Sequence, residues 1–247
     1  MIKLIQVSDF HVSKDKDYVY NDEKPYYNLR DTYQLILKNE PRFDLLLLSG
    51  DLTNDESIES YKLIDELTDE FKVPKFYVAG NHDNYEKLKE AFNEKLVAPK
   101  SFAMNKWKFI LLHSVLEGEV AGQVSDHSLE FLERELESVK DLGFNIFICL
   151  HHHLINVDGH MDRYITKNPQ AFFDIVDKYD NIKLVTFGHI HQIYEGKRNN
   201  VSYLSAPATA YQIKPGTEGF EKDQLGSGYR WFNLDDDGTF TTGVNRV

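Results

Sequence analysis

Short apolar runs rich in Leu, Ile, Val and Phe recur along the chain at Lys3–Val7, Leu45–Ser49, Lys75–Ala79, Lys108–Leu112, Ile146–Leu150 and Lys183–Phe187. Runs of this length without polar alternation predict strands covered on both faces. Amphipathic stretches of helical period lie between them. Leu29–Asn39 carries Leu29, Tyr33, Ile36 and Leu37 on one face, and Glu56–Phe71 carries Ile58, Tyr61, Ile64, Leu67 and Phe71. Leu129–Val139 does the same with Leu129, Leu132, Leu136 and Val139, behind the cap candidates Ser125 and Asp126. Pro169–Lys178 opens with Asn168 as cap and Pro169 as first helical residue. Strand and helix in alternation predict βαβ units and a layered α/β fold. From about Asn199 the pattern changes to strand-like pieces, Val201–Leu204, Tyr229–Leu234 and Phe240–Val244, joined by Gly-containing turns with no helix between. These are expected to run antiparallel and to pack on the same core. No repeat or low-complexity linker interrupts the 247 residues, so one domain spanning 1–247 is the simplest organisation.

Composition narrows the function classes. Apolar residues at 41% can fill a sizeable core, and charged residues at 28% are close to the globular average, which excludes wholesale disorder. The formal charge of -12 repels polyphosphate chains, so no nucleic-acid polymer is expected as a partner. A small phosphate ester stays compatible, provided that positive charge is supplied locally. The single cysteine, Cys149, cannot form an internal disulfide and lies inside an apolar run, which suits a buried small side chain in a reducing compartment. No apolar run is long enough to span a membrane. The N-terminal residues enter a strand pattern without the features of a signal peptide, so a cytoplasmic location is expected.

The candidate chemistry sits just past the ends of the apolar runs. Ser8-Asp9-Phe10-His11 follows Val7, Ser49-Gly50-Asp51 follows Leu48, and Gly80-Asn81-His82-Asp83 follows Ala79. His151-His152-His153 follows Leu150, and Gly188-His189-Ile190-His191 follows Phe187. Ligands of α/β sheets bind where the C-terminal strand ends line a crevice, so five groups far apart in sequence converge on one place. In extended backbone, residues two apart point to the same side, which lets Asp9 with His11, and His189 with His191, reach one ion. Asp51 has two oxygens to share between two ions, and Asn81 offers a neutral amide oxygen. Mixed oxygen and imidazole donors without thiolates favour Mn, Fe, Co, Ni or Zn over Ca. Two such ions about 3.5–4 Å apart can clamp a phosphoryl group, which supplies the local positive charge that the acidic surface lacks.

In order along the chain, Asp9-x-His11, Gly50-Asp51, Gly80-Asn81-His82-Asp83, His151 and Gly188-His189-x-His191 resemble the signature of the calcineurin-like metallophosphoesterase superfamily. The C-terminal part, Ser205-Ala-Pro-Ala-Thr-Ala-Tyr-Gln-Ile-Lys-Pro-Gly216 followed by Gly228-Tyr-Arg-Trp231, is similar to the tail of the bacterial 3′,5′-cyclic AMP phosphodiesterase type. The resemblance implies a four-layer αββα sandwich of two mixed sheets flanked by helices. It implies two transition-metal ions, Mn, Fe or Zn. One would be held by Asp9, His11, Asp51 and His191, the other by Asp51, Asn81, His151 and His189, with Asp51 bridging. His152 is the register alternative to His151. His82 would assist the leaving oxygen and Asp83 would orient His82. Asn81, His82 and Tyr211 are the candidate substrate contacts, with Gln212, Asn84 and Tyr85 as weaker ones. The implied activity is hydrolysis of a phosphodiester, a 3′,5′-cyclic nucleotide such as cyclic AMP, by a hydroxide generated at the metals, giving the 5′-monophosphate.

Two other functions stand beside it: a broad phosphodiesterase or phosphomonoesterase acting on glycerophosphodiesters or nucleotides, and a non-catalytic metal-binding scaffold. Monomer and homo-oligomer both stay open. At Leu154-Ile155 the chain departs from the proline pair that many relatives of this type carry after the histidine run, so the loop there is expected to take its own path. The aromatic stretch Tyr18–Tyr27 is either a lid over the crevice or a plain surface loop, and its position directly after the first motif favours the lid. His113 is expected to be a hydrogen-bonded histidine at the rim, and His160 to have at most a lining role.

Overall fold

The computed structural model describes residues 1–247. One sheet contains β1 (Ile2–Val7), β2 (Leu45–Ser49) and β3 (Lys75–Val78) as parallel neighbours. The second contains β4 (Lys100–Met104), β5 (Trp107–Leu111), β6 (Asn145–Cys149), β7 (Ile182–Phe187), β8 (Glu195–Arg198) and β9 (Val201–Ser205). A small hairpin follows, β10 (Gln212–Ile213) with β11 (Lys222–Asp223). The chain then returns to the first sheet with β12 (Gly228–Leu234) and β13 (Phe240–Arg246). The strand orders are β13-β12-β1-β2-β3 and β4-β5-β6-β7-β9-β8, both mixed.

Each core strand feeds two cores, because alternate residues point to opposite faces. In β2, Leu46 and Leu48 face the helices α1 (Pro25–Asn39), α2 (Ile58–Thr68) and α3 (Tyr85–Phe92), while Leu45 and Leu47 face the other sheet. In β6, Ile146 and Ile148 face α4 (Asp126–Glu137) and α5 (Pro169–Val176), while Phe147 and Cys149 enter the space between the sheets. The result is helix layer, sheet, sheet, helix layer, the expected αββα sandwich. Cys149 is fully buried there, and burial pushes its thiol up, away from reactivity.

Several local expectations are corrected. Val201–Leu204 does not run antiparallel to its main neighbour: β9 pairs parallel with β7. The reversal is made by β8, a polar edge strand whose Glu-Gly-Lys-Arg sequence hides it from a hydrophobic pattern. β12 and β13 are antiparallel, as expected. Ser125 caps α4, accepting from Ser128 N, but Asn168 does not cap α5; its amide instead exchanges hydrogen bonds with the Val124 backbone. α3 and β4 were not expected; α3 is only two turns long, and β4 is only partly buried.

Candidate metal centre

β1, β2, β3, β6 and β7 end at the same edge of the sandwich, and the chain leaves each of them through a tight turn. Asp9, His11, Asp51, His189 and His191 all have positive φ, between 49° and 69°. The two-apart pairs therefore do not converge through extended backbone, as the spacing suggested. They converge because the strand breaks into left-handed turns. Such conformations cost of order 1–3 kcal/mol each outside glycine and persist where the surroundings impose them. Here the surroundings are backbone bonds between the loops: Phe10 N and His11 N both donate to Asp51 O, and Gly188 N donates to His151 O. Gly188 is required by proximity, since a Cβ there would stand 2.0 Å from Ser8 Oγ and 2.8 Å from Asp9 Oδ2.

The side chains meet below the surface. Asp9, His11, Asp51 and His191 place their ligand atoms within 4.8 Å of one another, as do His151, His152 and His189. All seven residues are buried. Asp51 sits between the groups, with Oδ2 at 3.7 Å from His11 Nε2 and 3.4 Å from His151 Nε2. His191 Nε2 lies 3.5 Å from Asp9 Oδ1 and 3.0 Å from His11 Nε2. The second ring nitrogens are already committed: His151 Nδ1 donates to Ser49 O at 2.8 Å, and His191 Nδ1 donates to Tyr211 O at 2.9 Å. Their Nε2 lone pairs therefore face carboxylate oxygens and another ring nitrogen, an arrangement that a cation between them resolves. Asn81 Oδ1, His151 Nε2 and His189 Nε2 are buried with no protein partner, so the donors fit a pair of divalent ions.

The electrostatics agree at three of the four histidines. Burial lowers the pKa of His11, His189 and His191, keeping them in the neutral form that binds metal. At His151 burial is outweighed by the carboxylates of Asp51 and Asp9, which lift it to about 9. Burial would raise Asp51, yet His151, His82 and His11 hold it well below the usual carboxylate range. Burial raises Asp9, against the pull of His191 and His151.

His82 lines the cleft over these groups, its ring 4.7 Å from that of His11, and its backbone N–H donates to Asp51 Oδ1 at 2.8 Å. Asp83 does not orient the His82 ring. Its carboxylate accepts from Leu52 N, Thr53 N, Gly80 N and the Tyr61 hydroxyl, and so braces the turn that carries His82. Burial and Asp51 push it up to about 6, opposed by those backbone donors. His152 is steadied by Ser114 Oγ at 2.9 Å from Nδ1, and its ring lies 4.6 Å from that of His189.

Tyr211 lines the cleft, 4.4 Å ring to ring from His191. Tyr20, from the stretch read as a lid, stands over His11 at 5.1 Å. Gln212 is buried and donates to Ala208 O, so it does not line the cleft. Asn84 caps α3, and Tyr85 donates to Ala98 O; both face a neighbouring depression instead. His113 lies in that depression against Tyr85, with a buried Nδ1 that has no partner, contrary to the expected hydrogen bond. The spacing of motifs missed Met161, Tyr164 and Phe220, which also line the cleft, and understated His160. The one signal for Phe220 was an aromatic residue set among glycine and charged residues in a turn.

The calcineurin-like phosphoesterase family model matches residues 2–193. The chain is 31% identical to the 3′,5′-cyclic adenosine monophosphate phosphodiesterase CpdA of Pseudomonas aeruginosa, over all of this chain and 90% of that protein. It is 36% identical to a 3′,5′-cyclic-nucleotide phosphodiesterase of Nostoc sp., over 84% of this chain and 78% of that one. Among solved structures, a dimetal phosphatase from Danio rerio matches with a TM-score of 0.73 at 13% identity, covering 94% of each chain. A purple acid phosphatase from yellow lupin matches with a TM-score of 0.75 at 16% identity, over 99% of this chain and 51% of that one. These two share the fold.

Proposed function

The chain belongs to the calcineurin-like phosphoesterase family, and from that premise we propose that it is a two-metal phosphodiesterase that hydrolyses 3′,5′-cyclic AMP to the 5′-monophosphate. The observation that carries this reading is the Asp51 carboxylate set between two imidazole Nε2 atoms, with unpartnered Asn81 and His189 atoms beside them. Relatives named as cyclic nucleotide phosphodiesterases align over the whole chain or most of it, which supports the substrate class. The three interleaved cores support treating 1–247 as one metallophosphoesterase domain.

In this reading Asp9, His11, Asp51 and His191 hold one ion, and Asp51, Asn81, His151 and His189 hold the other. His151 is preferred to His152 because its Nε2 lies beside the bridging carboxylate. When bound, the ions, Mn, Fe or Zn by donor type, supply Lewis acidity toward the phosphoryl oxygens and an attacking water. The residues do the rest. His82, at the cleft wall, holds a ring proton for the departing 3′ oxygen, which spares that oxygen a full negative charge. Its position is fixed by the backbone bond to Asp51 and by the turn braced by Asp83. Asn81 and Tyr211 flank the phosphoryl group and the sugar. No helix is long and apolar enough to cross a membrane; with one buried thiol that suits a reducing compartment, we place the reaction in the cytoplasm.

A panel of cyclic AMP, cyclic GMP, bis(p-nitrophenyl) phosphate and p-nitrophenyl phosphate tests the proposal. Preferred turnover of cyclic AMP supports it. Monoester turnover far above every diester overturns the substrate assignment, and a fully metallated protein inert toward all four overturns the enzyme.

A further inference from the structure

The cleft has two chemically different ends. The inner end carries the carboxylates and imidazoles of the metal centre. The outer end is aromatic and apolar, and three separate loops build it. Resting on the phosphodiesterase reading above, we propose that His160, Tyr164, Tyr211 and Phe220 at this outer end form a platform for the nucleobase, and that it sets selectivity for nucleotides over smaller diesters.

Phe220 is 47% exposed and Val120 is 45% exposed, and both line this cleft. Large apolar side chains gathered half in water at the mouth of a site mark a surface that a ligand covers. Phe220 is not a loose tip. Its ring makes edge contacts with Tyr211 at 6.1 Å and His160 at 6.0 Å, and His160 in turn lies 5.9 Å from Tyr164.

The loops that carry these rings are tied to one another through polar contacts from basic side chains. Arg163 Nη2 donates to Glu218 O at 2.8 Å, joining the 160–164 turn to the loop that carries Phe220. Lys222 Nζ donates to Asn21 O at 2.8 Å and pairs with Glu23 at 2.7 Å, joining the same hairpin to the segment that carries Tyr20. Ile213 N donates to His191 O at 2.7 Å, and Tyr211 O accepts from His191 Nδ1, which fixes the platform in register with the metal centre. A platform held in this way loses little freedom when a ligand settles on it.

The ligand's chemistry follows from the lining. The cavity measures about 170 Å³, less than the roughly 300–1,000 Å³ that encloses a drug-sized molecule. That is too small to enclose a whole nucleotide, so part of the ligand lies at the mouth beside the exposed Phe220 ring. Aromatic rings there suit a planar group that stacks, whereas a glycerol substituent offers hydroxyls that cannot use them. His160 adds a second ring to this rim, 6.0 Å from that of Phe220, against which a base can rest.

Calorimetry on the metal-loaded protein with AMP, ribose 5-phosphate and inorganic phosphate isolates the base. AMP is expected to bind about tenfold more tightly than ribose 5-phosphate, within the range for one base on an aromatic ring. Phe220→Ala should erase most of that tenfold and leave ribose 5-phosphate and phosphate affinities within about twofold, while Phe220→Tyr restores it. His160→Ala should weaken AMP several-fold without touching ribose 5-phosphate. Equal affinity of the wild type for AMP and ribose 5-phosphate overturns the platform, as does a Phe220→Ala variant that weakens both ligands alike. Turnover of bis(p-nitrophenyl) phosphate by the same preparation separates the two readings. Turnover without an AMP preference refutes the platform alone. An AMP preference without turnover of any diester leaves the base site standing and refutes the reaction.

Discussion

Asp51→Asn is the sharpest test of the centre, because the substitution keeps shape and removes charge. The amide oxygen can still accept from His82 N, so the turn between β3 and α3 should stay in place. What changes is the anionic charge that both sites share. Counting charges over the proposed ligands, the first site retains Asp9, but the second is left with Asn81, His151 and His189, all neutral donors. The Asp51 carboxylate lies 3.4 Å from His151 Nε2, and a unit positive charge at that distance interacts with it by about 5 kcal/mol at an effective dielectric near 20. At about 1.4 kcal/mol per tenfold, a loss of that size weakens binding by roughly three to four orders of magnitude per unit of ion charge. The second ion should therefore be lost outright and the first much weakened. Elemental analysis after gel filtration should read two equivalents for the wild type and fewer than one for Asp51→Asn, with turnover of every diester down by at least about 10⁴. A thermal melt of the two metal-free proteins checks that the fold survives. If Asp51→Asn keeps two tightly bound ions, Asp51 does not bridge, and the proposed ligand scheme is wrong.

The remaining expectations test neighbouring parts of the structure. His82→Ala should retain both ions and lose about 10²–10⁴ in kcat; a metal-free His82→Ala protein would show that the residue is a ligand and not a proton donor. Gly188→Ala should destabilise the protein by about 1–3 kcal/mol through overpacking, because its methyl group would meet Ser8 Oγ and Asp9 Oδ2. Denaturant titration in the presence of chelator measures this, and an unchanged midpoint would mean that the loop yields freely. Asp55 binds the Lys14 and Ser57 backbone and the Ser57 and Ser60 hydroxyls, which together outweigh its partial burial and hold its pKa down at about 2. Its folded-state value lies below the unfolded one, so this stability is present above the ordinary carboxylate range and is lost as pH falls toward 2. Asp55→Ala should thus cost about 1 kcal/mol near neutrality, after discounting for exposure, and the gap should narrow between about pH 5 and pH 2.5. A gap independent of pH would point to lost hydrogen-bond geometry instead of charge.

Much of this protein was legible along the chain. Apolar runs broken by helical periods set the α/β class, because periodicity records burial against a sheet or a helix and needs no partner to be seen. The placing of Asp, Asn and His just past those runs named the candidate donors, since a strand buried on both faces leaves its polar residues only at its ends. Ser125 was readable as a cap for the same local reason. What needed three dimensions was everything settled between segments remote in sequence. His11 and His191 meet at 3.0 Å across 180 residues, a distance fixed by how two sheets stack. The left-handed turns at Asp9, His11, Asp51, His189 and His191 are imposed by bonds to neighbouring loops, so no local propensity foretold them. Asp83 braces a turn and leaves the adjacent imidazole alone because the free backbone donors come from the β2 loop. β8 stayed hidden because an edge strand buries too little to leave a pattern. The aromatic rim came together from three loops whose composition resembles any surface turn. Sequence encodes which side chains must leave water, whereas the packing of the sheets decides which of them then face one another.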